Sequence, residues 1–193
     1  HYGEDIPLAC VGVISKVNIL MLGFTLGISQ GCQPIFSYNY GARQYSRVRE
    51  AYRKAIVAAS VICCIAFVCF QLFPRPIVAL FDPSGSEEYF QFAERYFRIY
   101  MFMTLANAFQ PITANFFTSI GKAKRGALIA LTRQVIFLIP LILIFPLFLG
   151  IDGVMYAGPI ADSAAVVVAL ALVTREMKRM PHVDEPVAAD TLV

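Results

Sequence analysis

The stretch GISQGCQPIFSYNYGARQYSRVR, from Gly27 to Arg49, joins a long apolar run to a strongly basic segment. Further apolar runs follow along the chain, and short charged segments separate them. A transmembrane helix needs about 20 mostly apolar residues to cross about 30 Å of hydrocarbon, so this alternation is typical of polytopic helical membrane proteins. The sequence therefore predicts an all-α integral membrane protein.

The composition supports the same class. The chain has 193 residues, of which 58% are hydrophobic and 15% charged, and its mean hydropathy is +0.65. Soluble domains carry about 25% charged residues, so this chain lacks the polar surface that water requires. The net charge of +3 does not indicate a nucleic-acid partner. With two histidines, no Cys-x-x-Cys pair and five cysteines in apolar runs, the sequence predicts neither an enzyme nor a metal site.

Five segments have the length and composition of membrane spans. They cover about residues 6–36, 55–73, 96–120, 127–149 and 154–174. Residues 1–180 are therefore predicted to form a membrane helical bundle. The tail PHVDEPVAADTLV, residues 181–193, has two prolines and three acids, and is predicted to be a disordered cytoplasmic tail.

The basic residues predict the orientation of the bundle. They concentrate after the first, third and fifth predicted spans, whereas the intervening segments are richer in acids. Because basic segments stay on the cytoplasmic side, we expect the N-terminus outside and the C-terminus inside a cell or inner membrane. The chain begins at His1 with no initiator methionine or basic leader. An odd number of spans that starts outside needs a preceding segment, so we expect a piece of a longer protein.

Three glycines mark one face of the first span. Gly23, Gly27 and Gly31 form two consecutive G-x-x-x-G steps, which let another helix approach closely. This face serves either simple bundle packing or the sliding of one helix during a conformational change. Pro34, after Gln33, cannot donate a backbone hydrogen bond one turn back, so we expect a hinge where the span ends.

Polar side chains inside two spans are candidates for a binding cavity. Lys16 and Asn18 lie within the first span, and a lysine there costs about 3 kcal/mol, so it should face the bundle or a water-filled cavity. Alternatively, Lys16 extends to the interface or pairs with a carbonyl or carboxylate. In the third span Asn107, Gln110 and Asn115 recur at helical spacing around a proline. These amides either line a solvent pathway or make hydrogen bonds between helices.

Asp162 is the carboxylate deep within a predicted span. Buried carboxylates bind a proton or cation, or pair with a buried base. Arg133 and Lys16 are the available bases. The residues leave open whether Asp162 forms a structural ion pair or serves as a proton or cation site.

Three segments together carry a family resemblance. The block GFTLGISQGCQPIFSYNYGARQYSRVREAYRKA (23–55) resembles the second helix and following inner loop of the C-terminal lobe of multidrug and toxic compound extrusion (MATE) transporters. ANAFQPITANFFTSIGKAKRG (106–126) resembles the helix and loop two spans later, and GVMYAGPIADSAA (153–165) the start of the last helix. The likeness covers about residues 5–180.

This resemblance implies five helices of a six-helix lobe, in a transporter that has two such lobes. It also implies export of small organic cations in exchange for Na⁺ or H⁺ as the coupling ion, with no other cofactor. The expected partners are the lipid bilayer and the missing N-terminal lobe. Some members place a carboxylate on the helix that matches the third span, where this sequence has amides. The coupling ion therefore stays open.

Two other functions are compatible with the sequence. A lipid-linked sugar or polysaccharide flippase of the same superfamily would keep the architecture and change the cargo, although its cavity is usually more cationic. A non-transporting membrane scaffold or remnant is the third reading. In the exporter reading, Lys16, Asn18, Asn107, Gln110, Asn115 and Asp162 line the cavity.

Overall fold

The computed structural model describes residues 5–81, 86–101, 104, 106–181 and 184. Within these ranges, it does not describe the side chains of residues 5–8, 107, 149, 151, 152, 154 and 155. All regular structure in the described ranges is helical, which confirms the predicted class. The helices are α1 (Asp5–Gly41), α2 (Tyr45–Leu72), α3 (Pro74–Phe81), α4 (Glu87–Met101), α5 (Ala106–Ser119), α6 (Ala123–Leu131), a π-helical segment (Thr132–Leu138), α7 (Ile139–Leu149) and α8 (Ile151–Arg179).

Four of the described helices are long and apolar enough to cross a membrane. They are Ala9–Gly41, Tyr45–Leu72, Ala123–Phe148 and Tyr156–Arg179. The predicted third span, 96–120, is instead divided between α4 and α5, which have 15 and 14 residues. Between them, the Thr104 hydroxyl donates a hydrogen bond to the Met101 carbonyl (2.6 Å), a local bond that competes with the helical ladder. Four spans are thus found among the described residues, and the predicted third span includes residues 102, 103 and 105, which lie outside them, so that span stays a prediction.

The second span begins about ten residues earlier than predicted. Because α2 starts at Tyr45, Arg47, Arg49 and Arg53 lie in its first turns rather than in a loop. Only residues 42–44 separate α1 from α2. In this tight connection the left-handed backbone conformation falls on Arg43, at φ 55°. The basic charges are consequently held on one helix at the end of the bundle.

Two hydrophobic clusters hold the bundle together, and α1 contributes to both. Near the α1–α2 connection, Phe36 packs edge-on against Phe116, with 5.4 Å between ring centroids, and Tyr52 packs against the same ring at 4.9 Å. At the other end, Val13 and Val17 join a cluster that includes the edge-on pair Phe70 and Phe97. Together these contacts fix α1 against α2, α4 and α5.

Glycine permits a very close contact between α5 and α6. A Cβ atom at Gly126 would lie 2.6 Å from both the Ala114 carbonyl oxygen and the Thr118 hydroxyl. Real side chains do not tolerate this distance, so α6 can approach α5 because residue 126 has none. The turn between these helices also uses Gly121, which has a φ of 78°. This close approach sets one wall of the site described below.

A π-helical segment interrupts the third of the four long spans. Residues 132–138 have π geometry, and the Ile139 N–H then bonds the Gln134 carbonyl, five residues back. Pro140 follows directly and cannot donate a backbone hydrogen bond. A wider turn before a proline accommodates the missing donor, and such turns often occur at functional sites. The span continues through Pro146 to its end.

Two residues of the predicted tail make contacts with the bundle. The Arg49 guanidinium donates hydrogen bonds to the carbonyls of Met180 (2.9 Å) and Pro181 (2.8 Å). The Asp184 carboxylate accepts bonds from the Ser46 N–H (2.9 Å) and from the Ser46 hydroxyl. Asp184 thus caps the first turn of α2, where no local side chain does so. The disorder predicted for residues 182–183 and 185–193 concerns residues outside the described ranges.

Candidate functional site: a polar cavity between α1, α5 and α6

A cavity of about 780 Å³ lies between α1, α5 and the span formed by α6 and the π-helical segment. Its wall combines small apolar residues with a set of amides, hydroxyls and one guanidinium. The polar residues are Ser29, Gln30, Gln33, Gln110, Asn115, Thr118, Arg133 and Gln134. This volume suits a drug-sized molecule.

Hydrogen bonds between α1 and α5 shape the first side of the cavity. The Asn115 amide donates to the Ser29 carbonyl (2.7 Å), and the Ser29 hydroxyl donates to the Pro111 carbonyl (3.2 Å). Deeper in the bundle, the hydroxyls of Tyr52 and Thr113 lie 2.8 Å apart. α1 is therefore joined to α5 through polar contacts on the cavity side.

The second side is held by Gln110. Its amide nitrogen donates to the Ile129 carbonyl of α6 at 3.1 Å. The sequence left open whether these amides line a pathway or make hydrogen bonds between helices. Gln110 and Asn115 do both, since they bond neighbouring helices and also line the cavity. In each case the amide nitrogen donates this hydrogen bond, and the side-chain oxygen takes no part in it.

Two prolines add backbone oxygens to the polar character of this region. Pro34 has no N–H for the Gln30 carbonyl, and Pro111 has none for the carbonyl of Asn107. α1 nevertheless continues as a helix through Pro34 to Gly41. The hinge predicted at Gln33 and Pro34 stays a prediction. The backbone of Asn107 lies in α5, while its side chain is outside the description.

An ion pair lies behind the cavity wall. Arg133, on the π-helical segment, donates from Nε to Oδ1 of Asp162 on α8. The two side chains are 18% and 13% exposed. Arg133 also lines the cavity, so its guanidinium joins Asp162 to the cavity surface. Of the two bases that the sequence offered, the structure pairs Asp162 with Arg133.

The remaining predicted residues lie apart from this cavity. Lys16 is exposed, and it precedes Gln30 by 14 residues, which is about 21 Å along the helix. Asn18, two residues further along α1, is half-buried. Neither belongs to the described cavity wall. Their assignment to the same cavity stays a prediction.

The glycine face of α1 points away from the described part of the chain. Gly23, Gly27 and Gly31 are exposed, and a Cβ atom added to any of them would meet no described atom within 4 Å. The described chain therefore supplies no helix that packs on this face. The proposed roles of these glycines in packing and sliding stay predictions.

Sequence reasoning missed a charged cluster at the basic end of the bundle. Glu176 on α8 is 1% exposed and accepts bonds from Lys122 and Arg125, which are 35% and 37% exposed. We call these three residues the Glu176 cluster. A signal was available, because Glu176 is one acid within an otherwise basic segment, and such an acid needs a partner when buried.

Asp184 and Ser46 form a second contact at this end. The hydrogen bonds from Ser46 hold the pKa of the Asp184 carboxyl below its usual range. No group of three or more metal-ligating side chains occurs in the part of the chain that was described.

The chain is similar to known proteins in sequence and in fold. The family model MatE matches residues 1–144. The multidrug export protein MepA of Staphylococcus aureus (strain bovine RF122 / ET3-1) is 22% identical over 173 residues, which cover 90% of this chain and 37% of MepA. The chain therefore spans little more than a third of the length of this relative.

Solved structures agree in fold. The MATE multidrug transporter DinF-BH superposes with a TM-score of 0.80 at 32% identity, over 91% of this chain and 39% of that one. The outward-facing conformation of a multidrug resistance MATE family transporter of the MOP superfamily gives a TM-score of 0.84 at 20% identity. That match covers 92% of this chain and 40% of the other.

Proposed function

Because the chain belongs to the MatE family, we propose that it forms part of a secondary active multidrug transporter, which exports cationic amphiphilic compounds in exchange for Na⁺ or H⁺. Membership of this family makes it a multi-pass membrane protein of transporter type. The observation that carries the proposal is the cavity of about 780 Å³ between α1, α5 and α6, with polar groups on an otherwise apolar wall.

Apart from the Arg133 guanidinium, which is paired with Asp162, the polar groups that the cavity offers a cation are neutral amides and hydroxyls. Gln110 and Asn115 lie on its wall with their amide nitrogens bonded to neighbouring helices, and Pro34 leaves the Gln30 carbonyl without its helical donor. Dipolar oxygens stabilise a delocalised organic cation without holding it too tightly for release, while the apolar wall contacts its rings. This combination suits cargo that is bound and then released.

For ion coupling, we propose Asp162 as the carboxylate that binds the exchanged ion. Its partner Arg133 also lines the cavity. A cation that binds the Asp162 carboxylate would displace the Arg133 guanidinium, which could then turn toward the cargo. The released positive charge then disfavours a bound organic cation. Binding of the coupling ion and of the cargo would thus exclude each other, which is what exchange requires.

The proposed partners follow from the family. The complete transporter would contain a second lobe facing this cavity, and both would lie in the cell membrane with the basic end toward the cytoplasm. Lys16, Asn18 and the glycine face of α1 would then meet residues beyond the described chain.

Efflux of a cationic dye from cells that express the complete gene product tests the proposal. We expect Gln110→Ala and Asn115→Ala each to lower efflux about fivefold, because each removes an amide oxygen that we propose contacts the cargo, an interaction worth about 1 kcal/mol. Gln71→Ala is the matched control, since Gln71 donates to the Arg98 carbonyl away from the cavity. If both cavity variants export the dye like the control at equal expression, the cavity is not the binding site.

A flippase for a lipid-linked sugar is the second candidate, and one observation favours it. Arg133 is the charged residue on the described cavity wall, and a guanidinium binds phosphate well. Proteoliposomes given a dye or a lipid-linked sugar would separate the two functions, because the exporter moves the dye and the flippase moves the sugar.

A further inference from the structure

A groove of about 500 Å³ runs between α1 and α2 near their connection. It is separate from the cavity, which lies against α5 and α6. Three residues of α1 (Ile28, Cys32 and Ile35) and three of α2 (Ala51, Ala55 and Ala58) form its apolar floor. The alanines keep the floor wide, because their side chains are short.

The groove follows the axis of α2. From Arg47 to Ala58 it follows α2 for 11 residues, which corresponds to about 16 Å of helix. Both flanking helices are long and apolar enough to span a membrane. An extended hydrocarbon chain therefore fits the direction and the chemistry of the floor.

Charged groups follow α2 from Arg47 to Lys54, over about 10 Å of the length of the groove. Arg47 and Lys54 lie on its rim together with Glu50, so two bases and one acid give a net charge of +1. The Glu50 carboxylate forms an ion pair with Lys54, with 2.7 Å between Oε1 and Nζ. A second cavity of about 350 Å³ shares Glu50, Lys54 and Ala58 with the groove and adds Arg53 to the same edge. The rim is thus net positive and exposed.

We propose that this groove binds one anionic phospholipid. Its phosphate lies against Arg47, with Lys54 and Arg53 beside it, and one acyl chain runs along the alanine floor. Basic pockets between transmembrane helices recognise anionic headgroups in this way, and each Lys or Arg near the surface contributes about 1 kcal/mol. Charge complementarity and an apolar floor in a single groove favour a lipid over a water-soluble anion. The inference concerns a different surface from the transport cavity and does not depend on the cargo.

The experiment measures lipid retained by the complete gene product. The protein is purified from vesicles of phosphatidylcholine with one fifth phosphatidylglycerol, and bound lipid is counted by native mass spectrometry. We expect the wild type to retain phosphatidylglycerol in preference to phosphatidylcholine. Arg47→Gln should lower that retention about fivefold, since it removes one basic contact. Arg179→Gln is the matched control, because Arg179 is exposed on α8 at the same end but outside the groove.

A second variant tests the floor without changing charge. Ala58→Phe fills the groove from an exposed position, so it should displace the lipid while leaving the thermal midpoint of the lipid-free protein unchanged. Equal loss of lipid in Arg179→Gln and Arg47→Gln would overturn the proposal, because binding would then be diffuse electrostatics. Unchanged retention in both groove variants would also overturn it. If Ala58→Phe instead destabilises the lipid-free protein, another helix of the gene product covers the groove and no lipid binds there.

Discussion

Two carboxylates of helix α8, Asp162 and Glu176, lie in different surroundings. Asp162 and Glu176 are 14 residues apart, which is about 21 Å along the helix, and each pairs with bases from the chain segment 122–133. Glu176 has two partners and is almost fully buried, whereas Asp162 has one partner, which also lines a cavity. The same charge on the same helix thus serves two kinds of site.

The difference follows from what surrounds each pair. The Glu176 cluster joins α8 to the turn before α6, where Gly121 and Gly126 bring α5 and α6 together. Two cations around one buried carboxylate leave it no alternative partner, so the cluster fixes the helix ends. The Arg133–Asp162 pair instead joins the π-helical segment to α8 next to the cavity, where, in the proposed mechanism, an entering ion would compete for Asp162. The cluster should support stability, and the pair should support transport.

Glu176→Gln should cause the largest loss of stability. The amide keeps the shape but removes the charge that two bases share, and we expect a loss of about 2 kcal/mol in the free energy of unfolding. The estimate is below the range for fully buried pairs because both bases can turn partly to water. Thermal unfolding of the purified complete gene product measures it. Glu88→Gln, on the exposed side of α4, is the control and should change little.

Asp162→Asn should affect stability less and transport more. The amide oxygen still accepts a bond from Arg133, so we expect a loss of about 1 kcal/mol in unfolding free energy. Dye transport driven by a sodium or proton gradient should fall about tenfold, as expected when a coupling site is lost. Proteoliposomes with an imposed gradient provide the measurement. The contrast between the two carboxylates would fail if Asp162→Asn transported normally, or if it lost as much stability as Glu176→Gln.

The weakest expected effect is at Asp184, which is charged like Glu176 but only half-buried. The hydrogen bonds from Ser46 lower the pKa of the Asp184 carboxyl in the folded state. The stability that this contact contributes is therefore present above the unfolded pKa of about 3.9, and it is lost as the pH falls through the lowered folded-state pKa. We therefore expect the residues after α8 to become more accessible to protease only in strong acid. In Asp184→Asn, accessibility should not depend on pH in that range. A wild type with the same flat profile would show that the contact does not hold the chain there.

Much of the helical architecture was predictable from hydropathy. The four long spans lie where apolar runs occur, because hydrocarbon requires every backbone polar group to bond within its own helix. The turn at Thr104 was not predictable. The apolar sequence continues on both sides of it, and the Thr104 hydroxyl bonds the Met101 carbonyl there. The π-helical segment was missed similarly, although Pro140 gave a hint of irregular geometry.

The candidate site was predictable only in part. The spacing of Asn107, Gln110 or Pro111, and Asn115 predicted a polar face on α5, and Gln110, Pro111 and Asn115 line the cavity. The same reasoning grouped Lys16 and Asn18 with them, yet those residues lie about 20 Å from Gln30 along the long helix α1. Spacing defines a direction around a helix but not the neighbour found there.

The amino-acid sequence by itself determined which segments lie in the hydrocarbon of a membrane and which lie in water. Apolar length, basic clusters and isolated polar residues specify which helices enter a membrane and which side chains require a partner there. Only the tertiary structure decided which side chains pair with each other. Arg133 rather than Lys16 pairs with Asp162, and Glu176 is buried between two bases, because Gly126 lets α6 approach α5 and so places these bases against α8. Contacts of this kind depend on distances between helices, and no single helix encodes those distances.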